Sequence, residues 1–359
     1  MISGHGDDRH QYQQAIRADF SSNVWFGGTP QELISHLQQN LHLIGRYPEP
    51  DAADLCRKIA ALHNVNPNHV MAFNGSVEAF YTIAQAFREA VSAILYPAFA
   101  EYEDACRMHN HQLKFFKSYE GENSLKSDTS LLWIGNPNNP DGHIFSISQI
   151  EEMLETYPNT VFVVDEAYAG LVSGFESAIS LTRTYPNLIV VRSFTKSWTI
   201  PGLRLGYVIA SEKLANRLRK FQQPWSVNAL AQEAGKYILE HWAEDQPDIQ
   251  ELQKLSSGLQ QTISHLEGFR IIQSKAPFFL IEMESGTATE LKHFLLDEHQ
   301  ILIRDASNFR GLGKNYFRVC TRSESDNQLL EEGLKDWRQH LNFDFKALCL
   351  PNSSLSSRF

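Results

Sequence analysis

Lys196 lies in a run whose residue types suit covalent chemistry on an aldehyde. The run reads Ser193-Phe194-Thr195-Lys196, then Pro201-Gly202-Leu203-Arg204-Leu205-Gly206. A lysine amine can form a Schiff base with an aldehyde, hydroxyls and a guanidinium can hold a phosphate, and glycines let backbone approach closely. Those are the requirements of a pyridoxal phosphate pocket. Leu188–Arg192, directly before it, has the composition of a buried strand. Lys196 therefore follows a strand's C-terminal end, the edge at which open α/β sheets bind ligands. Taken alone, an ordinary loop lysine fits the same residues, so the reading depends on the other segments.

Four segments supply complementary chemistry. Asn74-Gly75-Ser76-Val77-Glu78 follows a strand pattern and opens a helix, whose unpaired N–H groups can receive a phosphate. Tyr96-Pro97-Ala98-Phe99-Ala100-Glu101-Tyr102 places aromatics after a strand end, where one can stack on a flat ring. Gly135-Asn136-Pro137-Asn138-Asn139-Pro140-Asp141-Gly142 holds asparagine amides in a proline-bracketed turn, able to donate to a phenolate oxygen. Val163-Val164-Asp165-Glu166-Ala167-Tyr168 ends a strand in an acid that is costly to bury unpaired. Beside a pyridine nitrogen, Asp165 keeps that nitrogen protonated, and Tyr168 can reach the ring oxygen. Each segment alone also fits a plainer role: a turn capped by Ser76, core packing, a simple turn, an acid capping the next helix.

The elements that must position these residues follow from patterning. At 359 residues with 42% apolar content, the chain predicts a packed globular protein of two domains. No apolar run is long enough to span a bilayer, and the polar, acid-bearing start Met1–Asp8 is unlike a secretory leader. A net charge of −10 without a basic stripe argues against nucleic acid as a partner. Cys56, Cys106, Cys320 and Cys349 show no paired spacing and read as reduced thiols of a cytoplasmic enzyme.

From Asp51 to Ala210 helical patterns alternate with short apolar runs. Strands are expected at His69–Phe73, Ala93–Tyr96, Leu131–Gly135, Val161–Asp165, Leu188–Arg192 and Leu205–Ala210. Such alternation predicts a mostly parallel sheet covered by helices on both faces. Beyond Glu212 helices dominate, followed by strands at Phe278–Glu282, Ile301–Arg304 and Tyr316–Cys320, which predicts a smaller α+β unit. The expected divisions are an N-terminal segment 1–40 packing on that small unit, a large domain 41–245, the small domain 246–345 and a loose tail 350–359. No metal is expected: His109 and His111 with Cys106 lack the further ligands a zinc site needs. Gly311-Leu312-Gly313-Lys314 is too short for a phosphate loop and reads as a loop near substrate.

With these residues in order, the chain resembles the fold type I pyridoxal phosphate-dependent aminotransferases from about residue 20 to residue 340. The resemblance implies a large domain with a mostly parallel seven-stranded sheet sandwiched by helices, and a smaller α+β domain. It implies that Lys196 carries the cofactor, that Asp165 faces the pyridine nitrogen, and that Tyr168 and Asn139 face the ring oxygen. Ser76, Val77, Ser193 and Arg204 would hold the phosphate and Phe99 would stack on the ring. Tyr47, in Arg46-Tyr47-Pro48-Glu49-Pro50, matches a tyrosine that reaches the neighbouring subunit's phosphate, which implies a homodimer. Arg318 matches the arginine that grips a substrate carboxylate bidentately. Asp141 is a departure, since relatives usually carry threonine there.

Within the family the chain is most similar to threonine-phosphate decarboxylases and histidinol-phosphate aminotransferases. The first similarity is carried by Gly4-His5-Gly6, Asp19-Phe20-Ser21-Ser22-Asn23, Pro224–Leu230 and Ile301–Phe309, and implies that His5, Asn23 and Arg304 hold the substrate's own phosphate. The implied substrate is a small phosphorylated amino acid. Decarboxylation of threonine phosphate to aminopropanol phosphate, for a cobalamin side chain, is one outcome; transamination with 2-oxoglutarate is the other. The Cα bond held perpendicular to the ring is the one that breaks, so a modest rotation of substrate separates the two. A binding protein that keeps the fold without chemistry would not need the lysine, aspartate and arginine together.

Overall fold

A computed structural model describes residues 6–117, 128–242, 244 and 246–348, with side chains to residue 341. His5 and the tail 350–359 lie outside the described residues. The large sheet has seven strands in the order Val70–Phe73, Gly206–Ala210, Leu188–Ser193, Val161–Asp165, Leu131–Gly135, Val91–Tyr96 and Gln112–Lys117. Only Gly206–Ala210 runs against its neighbours. The central strands are continuous apolar runs because both faces are covered. Alternate residues feed two separate cores: Leu132, Ile134, Val164 and Val190 on one face, Trp133, Val163, Ile189 and Val191 on the other.

The six strands expected from apolar runs are all present, and Gln112–Lys117 is the seventh. Among the described residues it pairs only with Val91–Tyr96, at the sheet edge. An edge strand exposes one side to water, so Gln112, Lys114 and Lys117 interrupt the apolar signal. The helices Ala100–Met108 and Ile147–Thr156 also complete the crossovers; the second opens with a capping box between Ser146 and Gln149.

The second sheet orders Arg304–Asp305, Tyr316–Cys320, Phe278–Met283 and Phe269–Ile271, all antiparallel. It shares a core with the helices Ile249–Ser264, Ala288–His299 and Glu324–Leu348. The expected strand Ile301–Arg304 is two pieces: Ile301–Leu302 pairs in parallel with Ala18–Asp19, whereas Arg304–Asp305 joins Tyr316–Cys320. Ile303, fully buried between them, anchors the corner. The shift sets Arg304 directly opposite Arg318.

The N-terminal segment divides between the two units. Ala18–Asp19 pairs beside the small sheet, while the helix Gln31–Gln39 packs on Ala229–Glu240. Between them the chain crosses Lys196, where Trp25 N–H donates to the Lys196 carbonyl at 3.0 Å. No helix among the described residues is long and apolar enough to cross a membrane.

Candidate active site

Parallel strands end at one edge of the large sheet, so Asn74, Tyr96, Gly135, Asp165 and Ser193 are delivered to the same rim. A cavity of ≈ 350 Å³ opens there, lined by Asp165, Tyr168, Lys196 and Arg204 from large-sheet connections and by Arg318 from the second sheet.

One end of the cavity is shaped for an anion. The helix Gly75–Ala86 begins at the rim, and its first-turn residues Ser76 and Val77 line the cavity. Gly75 has φ +79, and a Cβ there would collide with the Arg204 guanidinium. A Cβ on Gly206 would sit 2.6 Å from the Ser76 nitrogen. Both glycines therefore let a guanidinium and a helix N-terminus converge, a seat suited to phosphate. Arg204 holds φ +59 and donates Nη1 to the Pro201 carbonyl at 3.1 Å. Thr195, rather than Ser193, lines this cavity; the Ser193 hydroxyl turns to Thr195 Oγ1 at 2.8 Å.

Lys196 lines the same cavity, with Nζ 5.7 Å from the Tyr168 ring centroid. Burial, then the Arg204 and Arg318 charges, pushes its amine down to about 8. At pH 7 about a tenth is then uncharged and nucleophilic, far more than for an ordinary lysine. Asp165 forms the opposite wall. Its Oδ2 accepts from Tyr102 Oη at 2.6 Å and its Oδ1 from Ala167 N–H at 3.0 Å. Burial raises this carboxyl to about 6, against the pull of those two bonds and of Lys196.

Tyr168, Asn139, Asn23 and Arg318 share the remaining wall. Burial pushes the Tyr168 hydroxyl up to about 12, opposed chiefly by Arg318. Arg318 donates Nη1 to Asn139 Oδ1 at 2.5 Å and Nη2 to the Ser21 carbonyl at 2.6 Å. Arg318 Nε is buried without a hydrogen-bond partner among the described residues, while the Asn23 amide lies against the Tyr168 hydroxyl. Such an orphaned group is costly unless a ligand satisfies it. The turn behind Asn139 owes its shape to Asp141: Asp141 Oδ1 accepts from Asn138 Nδ2 at 2.8 Å and from His143 N–H at 3.1 Å. The acid thus braces the turn from its own side chain.

Arg304 faces a second cavity of ≈ 480 Å³ that shares Gly6, Phe99, Asn139 and Arg318 with the first. Its guanidinium donates to the Asp305 carbonyl and to Asn308 Oδ1 and lies over the Phe309 ring. Burial and Arg318 pull it down to about 10. Arg304 and Arg318 are cross-strand partners, 7% and 4% exposed. Two guanidinium groups directly opposed and desolvated form a place that favours anions. The expected grouping of Arg304 with Asn23 is looser than sequence implied: Asn23 lines the inner cavity, Arg304 the outer.

Tyr47 lies outside its own chain's cavity, 88% exposed, with its ring 5.6 Å from that of Trp225. His111 is occupied by Ser92 Oγ and the Ala84 carbonyl, and no metal-holding cluster occurs among the described residues. Tyr102 and Thr195 were not singled out from sequence; Tyr102 lies three residues after Phe99, the N-cap of the helix Ala100–Met108, and that spacing was the available signal. An anion seat, a desolvated amine and a buried acid lining one cavity fit pyridoxal phosphate, with the glycine cradle as independent support.

Comparison with known proteins agrees. The family model for aminotransferase class I and II matches residues 16–336. The threonine-phosphate decarboxylase of Salmonella typhimurium is 31% identical over 330 residues, 89% of this chain and 90% of that protein. A histidinol-phosphate aminotransferase of Brachyspira hyodysenteriae is 28% identical, covering 83% of this chain and 86% of that protein. The crystal structure of L-threonine-O-3-phosphate decarboxylase from Porphyromonas gingivalis superposes with a TM-score of 0.87 at 40% identity, over 90% of this chain and 99% of that one.

Proposed function

The chain belongs to the class I and II aminotransferase family, and from that membership we propose that it decarboxylates L-threonine O-3-phosphate to aminopropanol phosphate, with pyridoxal phosphate as cofactor. The observation that carries the substrate is the opposed pair Arg304 and Arg318. Threonine phosphate brings a carboxylate and a phosphate on a short skeleton, one anion for each guanidinium. Histidinol phosphate carries one anion, its phosphate, and in transamination the carboxylates come from the oxo acid, so dependence on an oxo acid is what separates the two reactions.

When bound, pyridoxal phosphate supplies an aldehyde and an electron-accepting ring. The chain's residues do the rest. Arg204 and the first-turn N–H groups at Ser76 and Val77 anchor the phosphate. Lys196 Nζ would be the amine that holds the cofactor's aldehyde, and it is the group available to move a proton at the substrate's Cα. Asp165 would hold a proton at the pyridine nitrogen, Tyr168 Oη and Asn139 would serve the ring oxygen, and Phe99 would supply an aromatic wall for the ring. Arg318 and Arg304 fix the two ends of the substrate and so set which Cα bond stands perpendicular to the ring.

The test is incubation with L-threonine O-3-phosphate in the absence of any oxo acid. Carbon dioxide and the amine are expected; a strict need for 2-oxoglutarate, with glutamate formed, would reject decarboxylation. Arg304→Gln is expected to raise KM about a hundredfold, the cost of one buried ionic partner, while the visible absorbance of bound cofactor is unchanged. An unaltered KM would remove Arg304 from the phosphate site.

The same reading includes a homodimer in which Tyr47 reaches the partner's phosphate seat. Leu41, Ile44, Tyr47 and Trp225 are more than half exposed, and an apolar patch of this kind marks an interaction surface. Sedimentation should give twice the 40.9 kDa of one chain; a single-chain mass at micromolar concentration would reject the dimer. The described cysteines Cys56, Cys106 and Cys320 are free and buried, which supports a reducing, cytoplasmic setting.

A further inference from the structure

We propose that Tyr102 is a positioning residue that clamps Asp165 toward the ring nitrogen and couples that clamp to the stacking wall at Phe99. The inference rests on the cofactor reading above. Asp165 could present either oxygen to the cavity from the end of its strand. Two donors remove that freedom: Ala167 N–H takes Oδ1 and Tyr102 Oη takes Oδ2 at 2.6 Å. The Tyr102 hydroxyl is itself held by its ring. That ring is 2% exposed, stacked on Trp133 with centroids 5.6 Å apart at 20°, and edge-on to Phe80 at 5.0 Å.

The same ring meets Phe99 edge-on, 5.9 Å away at 85°. Tyr102 thus braces both the acid at one end of the cavity and the aromatic that forms its face. An aromatic in the first turn of Ala100–Met108 needs no hydroxyl to fill a core. Phenylalanine would pack equally well between Trp133 and Phe80, and a buried hydroxyl carries a desolvation cost that only its partner offsets. Among the described residues the hydroxyl donates to Asp165 alone.

Tyr102→Phe keeps the ring and removes only the bond. The variant and the unaltered chain should be compared for affinity toward pyridoxal phosphate and toward its 1-deaza analogue, in which the ring nitrogen is a C–H. The variant should bind pyridoxal phosphate about tenfold more weakly, the worth of one hydrogen bond to a charged group, yet bind the analogue as the unaltered chain does. Equal weakening toward both ligands would make Tyr102 a packing residue, and unchanged affinity for both would make its hydroxyl idle; either overturns the proposal. Should the unaltered chain itself bind both ligands equally, the placement of Asp165 at the ring nitrogen fails, and the inference fails with it. The melting temperature of the cofactor-free variant guards against misfolding, and Tyr102→Leu, which removes the ring as well, should weaken binding of both ligands.

Discussion

Lys196→Ala abolishes the visible absorbance of bound pyridoxal phosphate and lowers turnover by on the order of a thousandfold or more, since no other amine is placed to attack or to move the Cα proton. The loss is one of chemistry and not of fold. Lys196 is an amine desolvated beside Arg204 and Arg318, which is why it sits near 8. Deleting it relieves that crowding, so the cofactor-free variant should melt at or above the unaltered temperature. Absorbance spectra, steady-state assays and thermal melts of the one variant decide the matter. Retained absorbance with retained turnover would place the chemistry on another residue.

Asp165→Asn is the second large effect. An amide cannot hold a proton on the ring nitrogen, so turnover should fall by about a hundredfold to a thousandfold, the scale of removing one preorganised charge from a reacting centre. Stability moves the other way, and the sign follows from linkage. Burial raises the Asp165 carboxyl from 3.8 to about 6 in the folded chain, so between those values the folded state binds more proton than the unfolded. Stability contributed by that proton is complete below 3.8 and is lost as pH rises through about 6. Asparagine avoids this cost. The cofactor-free variant should therefore be more stable than the unaltered chain above pH 6, by about 2–3 kcal/mol, and lose that advantage near pH 4. Denaturant titrations at the two pH values measure the difference, and equal stability at both would show that Asp165 bears no burial cost.

The residues legible in the sequence are those tied to parallel strand ends. A strand buried on both faces is a continuous apolar run, so its end can be counted, and Asp165 and Lys196 follow such ends directly. Three things escaped for physical reasons. Gln112–Lys117 alternates lysine with apolar residues because an edge strand is half wet, and so lacked the central strands' signature. The split at Ile303 is set by which sheet each half pairs with, a long-range choice that local residues do not encode. Tyr102 resembles core packing because most of it is core packing; only the 2.6 Å contact to Asp165 distinguishes its hydroxyl. Asp141 gained a reason from the structure, since bracing Asn138 and His143 needs an acceptor and not specifically a threonine.

The claim beneath the whole account is that one amine, Lys196, carries the cofactor. Borohydride reduction of the loaded enzyme, followed by proteolysis and mass mapping, reads this out covalently. The account predicts a single phosphopyridoxyl adduct on the peptide containing Lys196, absent from Lys196→Ala. An adduct on any other lysine, or no adduct on a chain that still turns over substrate, would contradict it.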